Sequence, residues 1–72
     1  MAFYGLIGET MIEIGDLVKF TEAGKACGTA VYIGTSGVWL VIDRERDHVG
    51  LIKGDKTQWA HIRNLDIISS SR

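Results

Sequence analysis

Residues 38–62, VWLVIDRERDHVGLIKGDKTQWAHI, decide the fold of this chain. Short runs rich in β-branched and aromatic residues alternate here with polar or glycine-containing runs, which is the pattern of strands joined by tight turns. The stretch therefore predicts an antiparallel meander. Its three strands are residues 38–42, 48–53 and 57–62, joined by turns at residues 43–47 and 54–56.

The residues before the meander also favour strands. Ile12, Ile14, Val18 and Phe20 all fall on even positions, which is the period of a strand with one buried face. Gly15-Asp16 is expected to be a kink or bulge within this strand. A loop at residues 21–27 and a second strand at residues 28–35 follow, and Ser36-Gly37 is a hairpin turn into the meander.

The end of the chain completes the predicted fold. Residues 63–65 indicate one helical turn and residues 66–68 a last strand. Five or six short strands predict an all-β protein, and closure into a small barrel protects the edges of such a sheet. An OB-like barrel is the alternative, although it normally needs longer strands. The predicted organisation is an apolar arm or extra strand at residues 1–10, a barrel at 11–68 and a frayed tail at 69–72.

Composition narrows the classes of function. Eight Lys and Arg against nine Asp and Glu give a net charge of −1, which disfavours nucleic-acid binding through overall charge. A hydrophobic fraction of 46% is high for so short a chain, so we expect a protein partner or a second copy to cover some of it. The single cysteine, Cys27, favours the reducing cytoplasm, and no run has the ~20 apolar residues that span a membrane.

Catalytic and metal-binding patterns are weak in this sequence. Cys27 with His48 and His61 is the only set that offers a nucleophile and a base, and no known local signature surrounds the cysteine. Cys-x-x-Cys, His-x-x-x-His and Asp-x-Asp-x-Asp spacings are absent, as is a phosphate-binding loop. We therefore predict no enzyme activity, no catalytic residue, no metal and no cofactor.

Aromatic side chains on strand faces are the predicted binding residues. Tyr32 and Trp39 form a stacking or docking platform if both point outward across the turn at residues 36–37. Trp39 can equally be a core residue, whereas Trp59 is expected in the core because a small barrel needs large side chains to fill it. Arg44, Arg46 and Lys53 lie nearby in sequence and are included as candidate binding residues.

The N-terminal arm is the second candidate surface. Its large apolar residues are Phe3, Tyr4, Leu6 and Ile7. An arm of this composition is expected either to cover a sheet edge or to pair with a neighbouring subunit.

Three segments resemble SH3-like barrels of the Tudor and KOW type, namely residues 15–20 (GDLVKF), 24–31 (GKACGTAV) and 61–68 (HIRNLDII). They are similar to the opening strand, the loop and second strand, and the final turn and strand of those barrels. Over residues 12–68 the chain also resembles short bacteriophage barrel proteins that open with Gly-Asp-Leu-Val and close with Leu-x-x-Ile. The resemblance implies an SH3-like barrel, a location in the host cytoplasm and, as for many KOW domains, contact with RNA or with ribosome and polymerase surfaces.

Two functions follow from these observations. The first is a protein-interaction or assembly module that uses the face of Trp39 and the N-terminal arm. The resemblance to phage proteins implies that such a module is a phage accessory protein. The alternative is a nucleic-acid-binding accessory protein in which Tyr32 or Trp39 stacks on bases. Its phosphate-binding residues would be Lys25, Arg44, Arg46 and Lys53.

Overall fold

A computed structural model describes residues 12–70 of the chain. The predicted arm at residues 1–10, with Phe3, Tyr4, Leu6 and Ile7, lies outside the described residues. In chain order the elements are β1 (Leu17–Phe20), α1 (Glu22–Val31), β2 (Trp39–Glu45), β3 (His48–Lys53), β4 (Lys56–His61), a 3-10 helix (Ile62–Asn64) and β5 (Leu65–Ser69).

The five strands form one antiparallel sheet in the order β4-β3-β2-β1-β5. β1 pairs with both β2 and β5, so the first strand joins the meander to the last strand. The prediction of a small all-β fold is confirmed. Within residues 12–70 no ladder joins β4 to β5, and the predicted closure into a barrel is therefore not shown.

The meander forms as its sequence predicts. β3 has the predicted bounds, while β2 continues to Glu45 and shortens the predicted turn to Arg46 and Asp47. Arg46 has a φ of 56°, a left-handed conformation that tightens this two-residue tip. The predicted helical turn is the 3-10 helix, and β5 ends at Ser69, one residue inside the predicted tail.

Two predictions are wrong, namely the loop at residues 21–27 and the strand at residues 28–35, because α1 occupies most of this segment. The Thr21 Oγ1 accepts a hydrogen bond from the Gly24 N–H at 2.9 Å, and the Thr21 carbonyl accepts one from the Lys25 N–H at 2.8 Å. Thr21 is thus an N-cap, and Glu22 adds a favourable negative charge in the first turn. Gly24 and Gly28 both lie inside this helix.

The segment between α1 and β2 is a loop and not the predicted hairpin, although Gly37 does have a positive φ of 78°. The Gln58 side-chain amide binds this loop with one accepted and one donated hydrogen bond, as a backbone peptide group would. Its Oε1 accepts from the Ile33 N–H at 3.0 Å and its Nε2 donates to the Gly34 carbonyl at 2.8 Å. Residues 36–37 therefore do lie in a connection, but this connection joins a helix to a strand and not two strands.

The core covers one face of the sheet. Phe20 lies at its centre, with its ring centroid 4.8 Å from that of Tyr32 and 6.2 Å from that of Trp39. Ile14 breaks the predicted even-position pattern and is exposed, because Gly15, with a φ of 100°, turns the chain before β1. The buried hydrophobic residues are Ile12, Val18, Phe20, Tyr32, Trp39, Val41, Val49, Leu51, Ala60, Ile62 and Leu65.

Candidate functional site

The predicted aromatic platform is not on the surface. Tyr32 and Trp39 are only 7% and 1% exposed, so neither ring is available for stacking. The Trp39 Nε1–H donates to the Ser36 carbonyl at 3.1 Å, and the Tyr32 hydroxyl accepts from the Asn64 Nδ2 at 2.7 Å. The condition for a platform is not met, because both rings fill the core beside Phe20, and the core alternative for Trp39 is confirmed.

Three of the four predicted phosphate-binding cations, Lys25, Arg44 and Lys53, are engaged elsewhere in the chain. The Arg44 guanidinium donates to the Ile12 carbonyl and lies 3.5 Å from the Glu13 carboxylate. The Lys53 ammonium donates to the Ser36 carbonyl at 2.9 Å and lies 5.7 Å from the Trp39 ring centroid. Lys25 lies 3.8 Å from the Glu22 carboxylate, and Arg46 is exposed at the tip between β2 and β3. The structure does not bring these four cations together around an aromatic surface.

The other face of the sheet carries exposed apolar side chains. Leu17, Leu40 and Ile52 are direct cross-strand partners on β1, β2 and β3, so their side chains share one face. Leu17 and Leu40 are 36% and 38% exposed, while Ile42 and Trp59 extend the row at 44% and 48%. We call Leu17, Leu40, Ile42, Ile52 and Trp59 the outer apolar face.

Trp59 lies on this outer face and not in the predicted core. It is the cross-strand partner of Gly50, which in turn is opposite Asp43 on β2. A Cβ added at Gly50 would be 3.6 Å from the Trp59 Cζ2, so the indole lies across the bare backbone of β3. An open groove of about 280 Å³ beside the indole reaches Ile42, Asp43 and Thr57, which places Ile42 on the same face as Trp59.

A second groove, of about 290 Å³, lies beside β4, the edge strand of the sheet within residues 12–70. It brings together Cys27, His48 and His61, which were the only catalytic candidates in the sequence. The two imidazole centroids are 5.0 Å apart in an edge-to-face arrangement. The remaining lining residues are Tyr32, Trp59, Ala60, Arg63 and Asn64.

The position of His61 follows from the end of β4. Its Nδ1 accepts a hydrogen bond from the Arg63 N–H at 3.1 Å, so His61 is the N-cap of the 3-10 helix. A neutral imidazole that accepts at Nδ1 carries its hydrogen on Nε2. His61 therefore offers a donor, and not a lone pair, to the groove. Among residues 12–70 no three His, Cys, Asp or Glu side chains are placed to hold one metal ion.

The alternation along β4 was the signal for the outward tryptophan. Ala60 and Ile62 are buried, so the intervening His61 and the preceding Trp59 must point to the other face. Residues 38–42 gave a second signal, because an unbroken apolar strand presents apolar side chains to both faces of its sheet. The groove at the β4 edge had no such signal, since α1, which contributes Cys27, was not predicted.

Comparison of the chain with protein-family models, curated proteins and solved structures finds no match. The similarity to Tudor and KOW barrels and to phage barrel proteins therefore stays a prediction. In the part of the chain that the structure describes, no helix is both long and apolar enough to cross a membrane.

Proposed function

We propose that this chain is a non-enzymatic protein-interaction or assembly module whose contact surface is the outer apolar face. One observation carries the proposal: three neighbouring strands place the exposed side chains of Leu17 and Leu40 and the half-buried side chain of Ile52 in one cross-strand row. An antiparallel sheet with a single covered face normally presents polar side chains to water. A contiguous apolar row on that face instead indicates a surface that is covered in the functional state.

A second copy of the chain is the partner that we expect on this face. Two sheets pack face to face about 10 Å apart when both contribute apolar side chains, and an isologous pair brings the same patch together twice. The net charge of −1 opposes such pairing only weakly. Trp59 supplies the large aromatic surface that contributes most strongly at protein interfaces.

The SH3-like barrel and the cytoplasmic location belong to the same proposal. The pairing of β1 with both β2 and β5, and the 3-10 helix directly before β5, support a barrel of this type. Cys27 is a free thiol on an exposed position, which suits a reducing compartment.

Sedimentation velocity over a range of protein concentrations tests the proposal, with Ile42→Lys as the informative variant. Ile42 is on the outer apolar face, and a buried lysine there is expected to weaken self-association at least about tenfold. Ile33→Lys is the matched control, because Ile33 is 60% exposed but lies in the loop between α1 and β2.

We expect a concentration-dependent dimer for the unchanged chain and for Ile33→Lys, and a monomer for Ile42→Lys. Circular dichroism of all three proteins shows whether the fold is retained. A folded chain that is monomeric at every concentration contradicts self-association. A dimer that both lysine variants weaken equally contradicts the assignment of the outer apolar face.

A further inference from the structure

The groove at the β4 edge has the chemistry of a binding site, and it shares Trp59 with the dimer contact proposed above. Its lining comes from both faces of β4, since Trp59 and His61 point to the outer face while Ala60 belongs to the core. α1 closes one side through Cys27, and Arg63 and Asn64 of the 3-10 helix close the end. A volume of about 290 Å³ accommodates a small molecule and not a large one.

The polar side chains of the lining include several hydrogen-bond donors. The His61 Nε2–H is left to donate because Nδ1 already accepts from the Arg63 N–H. The Tyr32 oxygen accepts from Asn64, and within residues 12–70 its own hydrogen has no acceptor. The guanidinium of Arg63 adds further donors in a planar fork that suits phosphate and carboxylate oxygens.

The charge of the groove is positive although the chain is slightly acidic overall. Among the described residues Arg63 lines the groove and no carboxylate does, and the ion pairs found among residues 12–70 do not include Arg63. Two acids lie close to the groove without lining it. Glu45 is the cross-strand partner of His48, and the Asp47 carbonyl accepts a hydrogen bond from the Ile62 N–H at 2.9 Å. The Arg63 guanidinium is therefore the charge that the described lining residues offer to an anion.

The aromatic rings of Trp59, His48 and His61 also line the groove. The Trp59 indole is about half exposed, and the two imidazoles stand edge to face beside it. An aromatic ring of a ligand can stack on the indole while an attached anion reaches the donors of the 3-10 helix. The combination favours a small molecule with an oxyanion on a ring over a free inorganic ion.

We propose that the groove between α1, the β4 edge and the 3-10 helix binds a small aromatic oxyanion. Its phosphoryl or carboxylate group contacts His61 and Arg63, and its ring lies against Trp59. The Tyr32 hydroxyl and the Cys27 thiol lie on the opposite side of the bound molecule. The two anion types share this chemistry, and the experiment distinguishes between them.

Two-dimensional ¹H–¹⁵N NMR titration of the full chain tests this proposal with three probes at matched ionic strength: phenyl phosphate, benzoate and phenol. We expect saturable shifts of the Trp59 indole N–H and of the backbone amides of His61 and Arg63 with at least one of the two anions. Phenol has the ring without the anion, so it is expected to bind at least about tenfold more weakly.

Arg63→Gln is the informative variant and Lys56→Gln its matched control. The first removes the guanidinium but keeps the backbone N–H that His61 accepts, so the 3-10 helix is retained. The second removes an exposed cation at the other end of β4, outside the groove. We expect Arg63→Gln to weaken binding of the tighter-binding anion about tenfold. Lys56→Gln is expected to leave the affinity for that anion unchanged.

Three results would overturn the proposal. The first is the absence of saturable shifts with both anions, and the second is phenol binding as tightly as either anion. The third is an equal loss of affinity in the two glutamine variants, which would indicate general charge attraction. A preference for phenyl phosphate assigns the site to phosphoryl compounds, and a preference for benzoate assigns it to carboxylates.

Discussion

The indole of Trp59 lies across Gly50, its cross-strand partner, with the Cζ2 atom 3.6 Å from the position that a Cβ would take at residue 50. This pairing explains how a large aromatic side chain lies flat on the outer face of a small sheet. The glycine leaves a shallow space on β3, and the indole covers it. Asp43, the partner of Gly50 on β2, bounds the same space.

Substitutions at Gly50 are predicted to move Trp59 in proportion to their size. In Gly50→Ala the new Cβ is 3.2 Å from the Asp43 Cβ, a tight contact that a small shift relieves. In Gly50→Val the branched side chain displaces the indole, and we expect unfolding free energy to fall by about 1–3 kcal/mol. Trp fluorescence and urea denaturation measure both effects. An unchanged emission spectrum in Gly50→Val would contradict the stacked position of Trp59.

The two tryptophans are predicted to differ sharply in their contribution to stability. Trp39→Ala opens a cavity in the core and is expected to lower the unfolding free energy by about 3–5 kcal/mol. Trp59→Ala removes a half-exposed side chain and is expected to cost about 1 kcal/mol or less. Urea denaturation followed by far-UV circular dichroism gives both values. Equal losses for the two variants would show that the assignment of Trp39 to the core and Trp59 to the surface is wrong.

Gly24→Ala is predicted to destabilise the protein although alanine is the better helix former. A Cβ at Gly24 would lie 2.6 Å from the Asn64 carbonyl oxygen and 2.9 Å from the Asn64 Cβ, so α1 would have to move away from the 3-10 helix. We expect a loss of about 1–3 kcal/mol, which exceeds the gain of about 1 kcal/mol in helix propensity.

Gly34→Ala is the control for the Gly24 variant. No atom lies within 4 Å of a Cβ at Gly34, and the stability of this variant should be unchanged or slightly higher. Thermal unfolding of the two proteins is the measurement. A gain of stability in Gly24→Ala would mean that α1 does not pack closely on the 3-10 helix.

Tyr32→Phe is predicted to leave the buried Asn64 amide without its acceptor. The Asn64 Nδ2 donates to the Tyr32 hydroxyl at 2.7 Å, and both residues are buried. Loss of the hydroxyl is expected to cost about 1–2 kcal/mol, because the amide donor remains desolvated. A double-mutant cycle with Asn64→Ala measures the coupling between the two side chains. A coupling energy near zero would contradict this hydrogen bond.

The sequence alone determined the strand-rich half of the molecule. Residues 38–62 alternate apolar runs with turn residues on a scale so short that nearest-neighbour strand pairing is their natural arrangement. β3 has the predicted bounds, and the helical turn before the last strand is present. Local patterns suffice here because each strand pairs with the strand next to it in the chain.

Only the tertiary structure decided that α1 forms and which of the two tryptophans is buried. α1 contains two glycines, and one of them, Gly24, is required because the helix packs against the Asn64 backbone forty residues later in the chain. Trp39 is buried because Phe20 and Tyr32 close around it, whereas Trp59 lies outward over Gly50. A local pattern shows which residues alternate between two faces of a strand, but the face that becomes the core depends on contacts distant in sequence.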